Sequence, residues 1–104
     1  MAEAASSIMD YKKDKIAFIN VMCNMSVDCD CCAKAEDPCM KDIGILASLD
    51  PVALDQACID LVYNSEDEGK DHLIERIESR NGIHTIDTAS KLFGNKEYEL
   101  INID

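Results

Sequence analysis

Apolar and polar positions along the chain fall into short blocks whose spacing switches between that of a helix and that of a strand. Within Ala2 to Asp14, Ala4, Ala5, Ile8, Met9 and Tyr11 recur at roughly helical intervals, which predicts a short helix. The next block, "KIAFINVM" from Lys15 to Met22, is nearly continuous in apolarity and rich in β-branched and aromatic residues. That is the pattern of a strand covered on both faces. "DIGILA", Asp42 to Ala47, is a second short apolar run and predicts a second buried strand.

The boundary after it is the sharpest in the chain. Asp50 suits an N-cap, because its carboxylate can accept from the free amides of a first helical turn. Pro51 suits the first helical position, where a missing N–H costs nothing. A helix from Pro51 to Asn64 follows, with Leu54, Ala57, Cys58, Leu61 and Val62 as its apolar stripe and Asp55, Gln56 and Asp60 off that stripe. Ser65 to Asp71 is a polar loop, and Gly69 in it breaks the preceding helix. "HLIERIESR" is a short amphipathic helix on Leu73, Ile74 and Ile77, ending at Asn81 and Gly82, and "HTIDTASKLFG" a further helix closed by Gly94. "YELINI", Tyr98 to Ile103, alternates and predicts a last strand at a sheet edge, where Glu99 and Asn102 meet water. The expected fold is therefore one α/β domain over residues 1–104. It has a small three-stranded sheet, about four helices, and a cysteine-rich loop, residues 23–39, between the first two strands.

That loop changes the picture. The first two strands are separated by about twenty residues, too many for a tight hairpin, and a structureless connector of that length is uncommon unless it is functional or held by something. "DCDCCAKAEDPC", Asp28 to Cys39, holds four of the chain's six cysteines. Thiolates are soft ligands for zinc and for iron–sulfur clusters, and ligands close in sequence lower the cost of bringing them together. Cys29, Cys31, Cys32 and Cys39 are four candidates, and Cys23 a fifth. The spacing C-x-C-C-x6-C is neither the C-x2-C pair of zinc ribbons nor the C-x2-C-x2-C run of bacterial ferredoxins. The competing readings are a thiol-redox sensor or enzyme using Cys29 to Cys39, incidental free thiols, and a structural interaction domain without metal whose acidic surface docks a basic partner. A structural zinc can contribute about 10–16 kcal/mol, as much as the whole stability of about 5–15 kcal/mol of a typical domain, and the connector offers few large apolar groups to order it otherwise.

Charge narrows the partners. Ten Lys and Arg stand against 21 Asp and Glu, a formal net charge of −11, with no basic cluster. Nucleic acid and anionic membrane surfaces, both bound through clustered Lys and Arg, are therefore poor partners. The N-terminus lacks a secretory pattern and no apolar run approaches the length of a membrane span, so a cytoplasmic location is expected, where thiols stay reduced.

The segments "FINVM", "CDCC" and "DPCMKDIGILASLDPVALDQACIDLV", with "GIHTIDTASKLFGNKEYELINI" at the end, resemble the C-terminal part of the iron–sulfur-centre proteins catalogued as domain of unknown function 362. The resemblance runs from about Lys15 to Ile103 and is most specific at Cys29 to Cys31 and at Asp42 to Ala57. It implies that the chain is the C-terminal piece of a longer iron–sulfur protein, with an upstream ferredoxin-like domain or another electron-transfer protein as partner. It also implies that Cys29 and Cys31 fall on the family's cysteine pair and Cys39 on a cysteine position before the Asp-Ile-Gly strand. The implied cofactor is an iron–sulfur cluster, with zinc as the alternative, and the implied role electron transfer or oxidoreduction. This chain differs from the family in having "LFGN" where Gly-Leu-Gly-Ser is expected, and it lacks the ferredoxin cysteine runs.

Other chemistry-bearing residues have plainer readings. Cys58 on the helix stripe reads as a small buried hydrophobe. Adjacent Cys31 and Cys32 could close only a strained ring. His72 and His84 begin helices and read as surface residues. Asp50, Asp55 and Asp60 recur every five residues, which turns successive carboxylates well apart on a helix, so they form no acid/base pair.

Overall fold

The computed structural model describes residues 1–12, 15–28 and 31–103. Helix α1 covers Ala2–Tyr11, strand β1 Phe18–Met22, strand β2 Gly44–Ser48, and helices α2, α3 and α4 cover Pro51–Tyr63, Lys70–Ser79 and Ile83–Leu92. The predicted α1 reached further, to Asp14; positions 13 and 14 lie outside the described residues.

Strands β1 and β2 pair antiparallel, with Phe18 opposite Ser48, Asn20 opposite Leu46 and Met22 opposite Gly44. Helix α2 lies on one face of this pair. Its start follows the sequence rule directly: Asp50 Oδ1 accepts from the amides of Val52 and Ala53 at 2.9 and 3.3 Å, with Pro51 in the first turn. Val52, Ala53, Leu54, Ala57 and Val62 are buried along α2, which joins two apolar clusters. At its N-terminal end Val52 packs with Ala2, Ile86 and Ala89, and with Ile59 and Phe93. At its C-terminal end Val62 packs with Met22 and Met40, surrounded by Leu46, Cys58, Leu73 and Ile74 among others. Gly94 is required by the first cluster, since a Cβ there would overlap the side chain of Val52.

Two expectations are corrected. The sheet is covered on one face only: Ile19, Val21 and Ile45, which share the face away from α2, are 66%, 58% and 72% exposed. Continuous apolarity reports a strand but not what covers it. The third strand is not formed, so among the described residues the sheet has two strands rather than three. Residues 98–103 lie outside regular structure, and Tyr98, Leu100, Ile101 and Ile103 are exposed. A strand needs a partner as well as alternation. Here Asp50 Oδ2 accepts from the Asn95 amide at 2.9 Å and Asp60 Oδ2 from the Tyr98 hydroxyl at 2.5 Å, which ties the segment to α2 instead of to a sheet edge.

Candidate metal centre in the cysteine connector

The described residues of the connector from Met22 to Gly44 divide into a closed neck and an exposed stretch from Cys31 to Pro38, the tip. On leaving β1 the chain turns at Asn24, whose φ of 51° is left-handed, a conformation Asn tolerates better than most residues. Its amide donates to Asp42 Oδ1 at 2.9 Å. The Cys39 amide donates to the Met25 carbonyl at 2.8 Å, Ser26 Oγ to the Glu36 carbonyl at 2.8 Å, and the Asp28 amide to Ser26 Oγ at 3.2 Å. Asp28 then works with both carboxylate oxygens: Oδ2 accepts from the Glu36 amide at 3.0 Å, and Oδ1 pairs with Arg76 Nη1 of α3 at 3.2 Å.

The exit is fastened separately. The Lys41 amide donates to Asp67 Oδ2 at 2.8 Å and the Gly69 amide to Asp67 Oδ1 at 2.9 Å; together they hold the Asp67 carboxyl below its ordinary value. Gly69 sits so close to the Cys39 carbonyl that any Cβ would overlap it. Gly69 therefore serves a close approach at the start of α3, whereas α2 already ends at Asn64. Met40, between these fastenings, is buried in the second cluster. Among the described residues, the neck of the connector is thus held by its own hydrogen bonds together with Asp67, Gly69 and Arg76 from beyond it.

This geometry sorts the predicted ligands. Cys31 and Cys32 lie exposed at the tip and Cys23 exposed at the end of β1. Cys39 is half-buried in the neck, its Sγ donating to the Met25 carbonyl at 3.4 Å. Cys29 lies outside the described residues. Among the described residues no three His, Cys, Asp or Glu side chains converge on a point. The soft thiol donors fit zinc or an iron–sulfur cluster in chemistry, while a preformed polyhedron is not among the described residues.

Cys58 belongs to the core, as its position on the α2 stripe suggests. It packs on the second cluster, burial raises its thiol above the ordinary value, and its Sγ accepts from Asn20 Nδ2 at 3.3 Å. His72 and His84 are exposed; His72, with Val27, Glu36, Glu75 and Arg76, lines a polar cleft of about 180 Å3 beside the neck. Asp55 accepts from Asn20 Nδ2 at 2.9 Å, and Asp60 accepts from Gln56 as well as from Tyr98.

Sequence reasoning missed the clasp. Asp67 two residues before Gly69 carried a turn signal that could have suggested an Asp-capped bend. The pairing of Asp28 with a guanidinium 48 positions away had none.

The family model described as Domain of unknown function (DUF362) matches residues 1–60. That region holds α1, both strands, the whole connector and the first ten residues of α2. No curated protein matches the chain, and no solved structure does. Among the described residues no helix is long and apolar enough to cross a membrane.

Proposed function

The chain belongs to the DUF362 family, and from that premise we propose that it is a metal-binding domain of a larger cytoplasmic iron–sulfur protein, serving electron transfer or oxidoreduction. Its ligands are the thiolates of Cys29, Cys31, Cys32 and Cys39, with Cys23 in reserve, and its cofactor is an iron–sulfur cluster, with zinc as the alternative. When bound, the group supplies either one-electron exchange or a structural cation.

The observation that supports this reading is the exposure of Cys31 and Cys32 at the tip of a loop whose neck is already closed. Ordering entropy at the base is thereby met largely by the protein fold, and gathering the donors asks for adjustment of the tip and for Cys39 Sγ to leave the Met25 carbonyl. The thiol-redox alternative asks for basic neighbours that favour a bare thiolate. The connector instead carries Asp28, Asp30, Glu36, Asp37 and Asp42 against Lys34 and Lys41, an acidic excess in which thiolates are better neutralised by a cation.

The test is anaerobic reconstitution of the 104-residue chain with iron and sulfide, and separately with zinc, reading visible charge-transfer absorption and metal stoichiometry. The expected result is a stoichiometric thiolate-bound metal that is lost in the Cys29→Ser/Cys31→Ser double variant. Unchanged metal content in that variant would refute the ligand assignment, and rapid alkylation of a metal-free chain that takes up neither metal would favour the redox reading.

A further inference from the structure

Away from the connector, α1, the first turns of α2 and α4 surround a half-open cavity of about 300 Å3. Its walls include Ile8, Phe18, Val52, Ile86 and Phe93; among the described residues Asp55 is the lining side chain that carries a charge, and the Thr85 hydroxyl and the Met1 terminus also lie in the lining. Asp55 is exposed, and its Oδ1 is held by Asn20 Nδ2, an inner-face residue of β1, at 2.9 Å. A neutral amide thus fixes the carboxylate's position at the rim of an apolar hollow without neutralising its charge. A mostly apolar cavity with a small number of placed polar groups is the usual form of a small-molecule site.

We propose that this cavity binds a primary alkylammonium, its hydrocarbon body among Ile8, Phe18, Val52, Ile86 and Phe93 and its charged head on Asp55. Three observations select this class. The carboxylate at the rim and the net charge of −11 repel carboxylates and phosphates of the same shape. The walls reject a small hydrated cation, which gains nothing from apolar contact. At roughly 30 Å3 for each water-sized group the volume takes about ten such groups, the size of an eight- or nine-carbon amine and too small for a folded peptide. The site shares no residue with the cysteine connector, so its test is independent of the metal reading.

The experiment titrates the 104-residue chain with n-octylammonium chloride, n-octanol and sodium octanoate, using calorimetry for stoichiometry and methyl-resolved NMR for location. Octylammonium is expected to saturate one site and to shift the methyls of Ile8 and Ile86, octanol to bind more weakly at the same place, and octanoate to leave them unmoved. Asp55→Asn is expected to weaken octylammonium by about fivefold, the range of an exposed ion pair, while leaving octanol unchanged. Asp71→Asn, which removes the same charge from the exposed face of α3, is expected to change neither. Thr85→Phe, at an exposed position on the cavity wall, should block both probes, with Ala5→Phe on α1 as a second filler should the first disturb folding. Equal binding of octanoate, an equal loss in Asp71→Asn, or shifts at Ile19 and Ile45 on the open sheet face instead would each overturn the proposal.

Discussion

Two aspartates hold two parts of this molecule in the same way and to different ends. Asp50 uses Oδ1 to cap α2 through the amides of Val52 and Ala53, and Oδ2 to hold the Asn95 amide. Asp28 uses Oδ2 to close the connector through the Glu36 amide, and Oδ1 to pair with Arg76. Each carboxylate joins a local bond to a distant one. The first stands over the cluster of Val52, Ile86 and Ala89, so its bonds fix the entry of a core helix. The second fastens a loop whose tip is open to water. Similar local chemistry therefore stabilises the fold in one place and presents a thiol loop in the other.

The largest expected effect of breaking this comparison lies at Asp50. Asp50→Ala removes the cap and the link to Asn95 together, and should destabilise the chain by about 2 kcal/mol, the upper range for a lost cap. Asp50→Asn keeps one carbonyl oxygen for the cap and should recover about half of that loss. Urea denaturation followed by far-ultraviolet circular dichroism measures both. If the two variants lose equal stability, the oxygen kept for the cap contributes nothing measurable and the assignment of roles is wrong.

The same contrast explains what the sequence made legible. Asp50-Pro51 announces a helix start because every partner lies within three residues, and the α2 stripe follows from one periodicity. Four helices and two strands were readable for that reason, with ends displaced by a few positions. The third strand was not, because "YELINI" encodes alternation while pairing depends on an edge elsewhere; here Asp60 and Asp50 hold its flank against α2. The cover over Ile19, Val21 and Ile45 was misread for a related cause, since a run of apolar residues does not specify what lies on each face. At the candidate site the thiols were plain in the sequence, but the partition into neck and tip was not. It depends on Arg76, Asp67 and Gly69, which are remote from the cysteines in the chain and adjacent to them only after α3 has packed.

A smaller global effect is expected at the neck. The Arg76–Asp28 pair is partly exposed, with side chains 39% and 20% accessible, and pairs of this kind contribute about 1 kcal/mol or less. Arg76→Ala should therefore leave the denaturation midpoint nearly unchanged. Asp28→Ala also removes the acceptor of the Glu36 amide, so amide exchange at Glu36 should accelerate well beyond that in Arg76→Ala while Val52 and Ala53 remain protected. Exchange at Glu36 that is equal in the two variants would mean that the neck is closed by Ser26 and Met25 alone.

The smallest expected effect is a pH response at the connector's exit. Two backbone amides, first that of Lys41 and then that of Gly69, stabilise the ionised Asp67 carboxylate and lower its pKa in the folded chain. The sign follows from that direction. The unfolded chain takes up a proton at the ordinary carboxylate value, the folded chain only at a lower pH, so the contribution is complete above the ordinary value and is lost as pH falls through the depressed one. From neutral pH down to the ordinary carboxylate range the Lys41 and Gly69 amide resonances should stay fixed. Below it they should move together as their acceptor is protonated, freeing the backbone beside Cys39 and Met40. Asp67→Asn has no such proton to gain, so both resonances should become insensitive to acid, and the Lys41 amide, one of two donors to a single remaining oxygen, should exchange faster at every pH. A Lys41 resonance that titrates at the ordinary carboxylate value in the unaltered chain would show that these amides do not hold Asp67 ionised, and that Gly69 packing against the Cys39 carbonyl carries the exit without it.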